Sequence, residues 1–148
     1  LRIYDNHLES YNISFTSLVQ RLGSERRNDQ EEFTSDLINV HAKVKGTVIR
    51  RSNQVNIIAE HIKRSPYPAI ICGDFNDTPM SYAYHMLSKD RKDSFRESGK
   101  GFAATFSYLW PLLRIDYVLF PTDFESVSHV TIKSSMSDHY PVVTELVI

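Results

Sequence analysis

The segment that most restricts the fold is Ala69-Ile70-Ile71-Cys72, set between the breaker Ser65-Pro66-Tyr67-Pro68 and the acidic stretch Gly73-Asp74-Phe75-Asn76-Asp77. Proline cannot continue a helix, so the breaker ends whatever helix precedes it. A short unbroken apolar run offers no polar face to water, which marks an interior strand covered on both sides. The chain then leaves its core with Asp74, Asn76 and Asp77 at the tip of that strand. A strand period of two puts Asp74 and Asn76 on one side and Phe75 on the other. A carboxylate and an amide sharing a side can hold a hard cation, an attacking water or a phosphate oxygen. Thr78 followed by Pro79 predicts the start of a helix over 79–89, with a hydroxyl cap and proline at the first helical position.

The remaining elements follow from periodicity. Residues 2–9 predict a strand with His7 near its end; residues 14–22 predict a short helix ended by Gly23, followed over 24–30 by a charged loop or the frayed start of the next helix. Phe33, Leu37, Val40 and Val44 recur at helical spacing over 28–45, as do Val55, Ile58, Ala59 and Ile62 over 46–64, giving two helices with solvated charged faces. Residues 93–107 read as loop and short strand with turns at Gly99 and Gly101, and 114–120, 126–132 and 140–148 as three more strands. This order predicts an α/β (α+β) fold, a mixed sheet with helices on one face.

The 148 residues suffice for one domain. A formal net charge of −1 gives no basic footprint for tight nonspecific nucleic-acid binding. The single cysteine, Cys72, excludes a disulfide framework and a cysteine-based zinc cluster, and its strand makes it a packed thiol. No apolar run reaches the ~18 residues of a membrane span. The opening Leu-Arg-Ile-Tyr-Asp-Asn-His-Leu-Glu begins inside a strand-like pattern and reads as a fragment of something longer, which leaves localisation open.

Polar groups intrude at four strand ends: His7, the Asp74/Asn76 pair, Asp116, and Asp138-His139. Asp and His are disfavoured in a dry sheet unless paired or bound to metal, and open sheets gather strand ends along one edge. Four intrusions argue for convergence on one polar site. An EF-hand loop beginning at Asp74 fails, because Pro79 stands where glycine is needed and His85 where a bidentate glutamate is needed. Consecutive Ser137-Asp138-His139 cannot form a triad in an extended strand, and no HxxxH-type pair supports a zinc site built on His7 and His139.

Together, Asn-His-Leu-Glu-Ser (6–10), Ile-Cys-Gly-Asp-Phe-Asn-Asp-Thr-Pro (71–79), Arg-Ile-Asp-Tyr-Val-Leu-Phe (114–120) and Ser-Asp-His-Tyr-Pro-Val (137–142) resemble the endonuclease/exonuclease/phosphatase family in content and order. This is the metal-dependent phosphoesterase superfamily of deoxyribonuclease I, apurinic endonucleases, inositol-polyphosphate 5-phosphatases and sphingomyelinases. The resemblance covers the whole chain but only the C-terminal part of the family domain. It implies half of a four-layer DNase I-like sandwich. His7 then binds the scissile phosphate or assists the leaving group, Asp74 orients the attacking water, and Asn76 stabilises charge on the phosphate. Asp116 bonds the final histidine, His139 is general base or phosphate binder, and Asp138 is metal-associated.

The resemblance further implies Mg²⁺ or Mn²⁺ and a phosphate-containing substrate, whether nucleic acid, lipid head group, sugar phosphate or protein phosphate. The family's principal metal ligand, an N-terminal glutamate, and its nearby asparagine have no counterpart here. The expectation is therefore weak metal affinity and no useful turnover for this piece. The alternative is a catalytically silent module that binds a phosphate-bearing ligand or partner. An uncovered sheet face carrying Ile3, Val118, Phe120 and Val143 would forfeit on the order of 20 kcal/mol as an upper estimate for roughly 800 Å², which predicts a homodimer through that face. The bland readings are a helix-capping turn for Asp74 and Asn76, a salt bridge to Arg114 for Asp116, and a loop-supporting role for Asp77. His41, His61, His85 and His129 read as surface or helix-face residues. Phe106, Tyr108 and Trp110 read as packing, with a substrate-facing strip as the alternative.

Overall fold

The structure, a computed structural model, describes residues 1–11, 30–109 and 113–148. The expected helix at 14–22, its Gly23 end, most of the charged loop after it and Trp110 lie outside the described residues, as do the side chains of Phe33 and Leu37. The elements are β1 (Arg2–His7), α1 (Gln30–Lys63), β2 (Ala69–Asp74), α2 (Tyr82–Ser88), β3 (Arg91–Asp93), α3 (Ser94–Ser98), a 3₁₀ turn (Ser107–Leu109), β4 (Asp116–Pro121), β5 (Glu125–Thr131) and β6 (Val142–Val147). Four strands form a mixed sheet in the order β1-β2-β4-β3, and β5 and β6 form a separate ribbon. β1 runs parallel to β2, while β2 and β3 are each antiparallel to β4.

Alternation along the strands separates the two faces of the sheet. Ala69, Ile71, Tyr117 and Leu119 are buried with Val55 and Ile62 of α1 and Ala83, Tyr84 and Leu87 of α2, forming the core. The opposite face carries Ile3, 68% exposed, and half-buried Cys72 and Val118. Phe120, expected on that open face, is fully buried. Among the described residues, no helix is long and apolar enough to cross a membrane.

Three local readings change. The two helices expected over 28–64 are one helix of 34 residues. Among its described side chains, Thr47, Arg51, Val55 and Ile62 are the buried ones, at helical spacing. The stripe looked interrupted because two of its members are polar. The helix after the acidic turn starts later than Pro79: Ser81 is its cap, its hydroxyl accepting from the Tyr84 N–H, and Thr78 lies in the preceding turn, where the Ser81 N–H donates to its carbonyl at 3.0 Å. A third helix, α3, occupies part of the expected loop, capped by Asp93, whose carboxylate accepts from the Phe95 N–H at 3.0 Å.

Candidate active site

Strand register builds the first half of the site. His7 stands opposite Asp74 on β1–β2, and Asp74 opposite Asp116 on β2–β4, so three functional side chains share one cross-strand row. The fourth arrives from outside the sheet. His139 makes an isolated bridge with Phe106, and the Tyr140 N–H donates to the Thr105 carbonyl at 2.7 Å. Buried Thr105 also anchors the start of β4, its hydroxyl accepting from the Ile115 and Asp116 N–H groups at 3.0 and 3.1 Å.

His139 Nδ1 lies 3.0 Å from Asp116 Oδ2, and its Nε2 lies 3.9 Å from Asp74 Oδ2. His7 Nε2 approaches the same Asp74 oxygen at 3.6 Å. Among the described residues, Asp74, Asp116 and His139 form the one metal-capable group, each able to offer a ligand atom within 4.8 Å of the others. Asp138 is exposed, with Ser137 Oγ 3.4 Å from its carboxylate, and stands outside this group. Arg114, the alternative partner for Asp116, is instead paired with Asp93.

Asn76 sits beside Asp74 for a reason other than strand alternation. β2 ends at Asp74, and Asn76 adopts a left-handed φ of 52°, a conformation asparagine tolerates better than most residues. Its backbone N–H donates to Asp74 Oδ1 at 2.7 Å; its side-chain amide donates to Asp74 Oδ2 at 2.9 Å and to the Leu8 carbonyl at 2.8 Å. Both amide hydrogens are thereby engaged, so Asn76 positions Asp74 here, and contact with a phosphate would require exchanging one of these bonds. Gly73, at φ 117°, is the other special position: a Cβ would collide with the Asn6 backbone, so only glycine lets β2 lie this close to β1. Burial, above all, pushes the Asp74 carboxyl up from its ordinary value; the Asn76 N–H opposes this, Asp116 adds to it, and His139 and His7 oppose it.

Two supports escaped the sequence reading. Arg51, fully buried on α1, donates to the Glu9 carbonyl at 2.9 and 2.8 Å and to Asp77 at 2.5 Å, fastening the segments after β1 and β2 to one helix. Asp77 thus supports the loop, as expected. The only signal for Arg51 was its place in the helical stripe. Phe106 sets its ring edge-on to His139, with centroids 5.2 Å apart.

This is a mixed α/β architecture with its polar row across the strand ends of one sheet, and comparison with solved structures gives the same fold. A functionally unknown conserved protein from Enterococcus faecalis matches 68% of this chain and 45% of its own at 23% identity, with a TM-score of 0.60. An endonuclease/exonuclease/phosphatase from Bacteroides vulgatus matches 69% and 45% at 23% identity, with a TM-score of 0.59. A mannosyl-6-phosphatase from Bacteroides thetaiotaomicron matches 67% and 46% at 24% identity, with a TM-score of 0.53. The chain therefore spans less than half the length of these structures. No curated protein matches it by sequence. The family model of the Endonuclease/Exonuclease/phosphatase family matches residues 12–139, and the chain belongs to that family.

Proposed function

We propose that this chain carries one side of a phosphoesterase active site, which hydrolyses a phosphomonoester or phosphodiester with an activated water. The observation behind this reading is the convergence of Asp74, Asp116 and His139 from three separate segments onto a group within 4.8 Å. Family membership and the likeness to a mannosyl-6-phosphatase support the same general class.

The chemistry follows from the hydrogen bonds. With its Nδ1–H given to Asp116, His139 keeps the tautomer whose Nε2 is a free base, turned toward Asp74. A water held between that nitrogen and the Asp74 carboxylate loses a proton to His139 as its oxygen bonds to phosphorus. The ester P–O bond breaks, and the departing alkoxide takes a proton from His7 or solvent. His7, exposed at the end of the row, is placed to meet the phosphate or leaving group.

The donor set fits a hard divalent cation in part: two carboxylates suit Mg²⁺ or Mn²⁺, while the imidazole suits Mn²⁺ better. Asp74 and Asp116 would hold the ion, with Asp138 as a further carboxylate in reach only if its loop rearranged. When bound, the cation offsets phosphate charge and polarises the ester. With no counterpart to the family's glutamate ligand, affinity is weak and turnover by these 148 residues negligible.

A metal-titrated assay with bis(p-nitrophenyl) phosphate tests the reading on the longer protein that supplies the rest of the site. Asp74→Ala and His139→Ala should each lower the rate by roughly 10²–10⁴-fold. Unchanged rates would favour the alternative, a silent phosphate-binding module. The reading extends to quaternary structure: Ile3 on the open sheet face, 68% exposed, is covered by a second copy of this chain, whereas Val143, expected on that face, lies on the separate β5–β6 ribbon. Light scattering at micromolar concentration should report a homodimer; a well-folded monomer would contradict it.

A further inference from the structure

Beside His139 lies a groove of about 650 Å³ that the hydrolytic step leaves unused. One wall is the strap Lys133–Asp138; the other is Ser107 and Tyr108 of the 3₁₀ turn. The groove is tied to the candidate site at three points. The Ser107 N–H donates to the Asp138 carbonyl at 2.8 Å, the His139 N–H donates to Ser137 Oγ at 3.1 Å, and the Phe106 ring touches both Tyr108 and His139, at 5.5 and 5.2 Å between centroids. A group seated there would be joined directly to a phosphate at His139.

We infer that this groove receives the alcohol portion of the substrate and that this portion is polyhydroxylated, a sugar or polyol phosphate; the inference rests on the phosphoesterase reading. The lining supplies four serine hydroxyls, at 107, 134, 135 and 137; those of Ser134 and Ser137 already accept from the Met136 and His139 N–H groups, and a hydroxyl is both donor and acceptor, as the hydroxyls of a polyol are. Among the described residues the lining contains no Asn, Gln or Arg, the residues that read the fixed donor and acceptor edges of a nucleobase. Tyr108 is 71% exposed, contrary to the packing role expected for it, and offers one flat apolar face beside those hydroxyls. Tyr140 lines the groove as well, and a tyrosine ring suits the C–H face of a sugar. The volume falls in the usual range for small-molecule sites, about 300–1,000 Å³.

Amide and imidazole NMR titration of the 148-residue chain with inorganic phosphate, glucose 6-phosphate and adenosine monophosphate tests this, and millimolar ligand accommodates weak binding. Inorganic phosphate should shift the His139 ring. Glucose 6-phosphate should bind about tenfold tighter than phosphate and also shift the amides of Ser107, Tyr108 and the 133–138 strap. Tyr108→Ala and, separately, Ser135→Val should erase that tenfold preference and leave the affinity for inorganic phosphate unchanged. Equal affinity for phosphate and glucose 6-phosphate, with His139 still responding, would overturn the subsite and leave the phosphoesterase reading standing. Tightest binding of the nucleotide through the same amides would overturn the polyol assignment. No response of His139 to phosphate would overturn the functional reading and this inference together.

Discussion

Two polar clusters, each containing an aspartate and a histidine, lie on either side of β4. In the first, Asp93 is bound on every side: the Arg114 guanidinium donates at 2.9 and 2.7 Å, the Tyr84 hydroxyl at 2.7 Å and the Phe95 N–H at 3.0 Å. Arg114 also lies over the Tyr117 ring at 4.7 Å. His129 completes this region with Nδ1 at 2.7 Å from Ser94 Oγ and 3.2 Å from Thr144 Oγ1. The second cluster gathers Asp74, Asp116, His7 and His139, with no arginine or lysine in any of its ion pairs among the described residues. The first is electrically closed and stabilises the packing of β3, α3 and the ribbon. The second leaves two carboxylates to face each other across a register pair. Charge left uncompensated at a sheet edge is available to a ligand, which is why the second cluster, and not the better-bonded first, is the candidate for chemistry.

The contrast can be broken most forcefully at Arg114. Arg114→Met strands the Asp93 charge in a buried setting and should cost about 3–5 kcal/mol of stability, read from the urea midpoint. A loss under 1 kcal/mol would show that Asp93 is not held by charge pairing, and the distinction between the clusters would lapse.

A smaller effect of opposite sign is expected at the other cluster. Because burial raises the folded pKa of Asp74, the folded chain binds that proton more tightly than the unfolded chain does. The carboxylate costs nothing below its unfolded pKa, about 3.9, and its cost grows as pH rises through the raised folded value. Asp74→Asn should therefore raise Tm near pH 7, with the difference vanishing near about pH 3. A Tm that falls at neutral pH would mean that the Asn76 hydrogen bonds outweigh the unshielded charge, and that this cluster too is built for stability.

The sequence showed the sheet and the identity of the row more clearly than its construction. Apolar runs mark β2 and β4 because a buried strand must be continuously apolar, and polar residues at their ends are costly enough to stand out. Asn76 was placed correctly by a wrong route: alternation stopped at Asp74, and a left-handed turn returned the amide to the same carboxylate. His129 read as a surface residue but is 9% exposed, because its cover comes from Ser94, Phe95 and Thr144, contacts that no local pattern encodes. Arg51 and the 34-residue span of α1 were obscured alike, since a buried arginine looks like a solvated one until its partners are known.

The ladder between β2 and β4 carries a last implication. Sliding β4 by one residue would set Tyr117 where Asp116 now meets Asp74 and send the acid to the helix-packed side. Under the proposed function, competence to handle phosphate therefore cannot precede correct strand alignment: misaligned molecules would be compact and helical yet chemically blank.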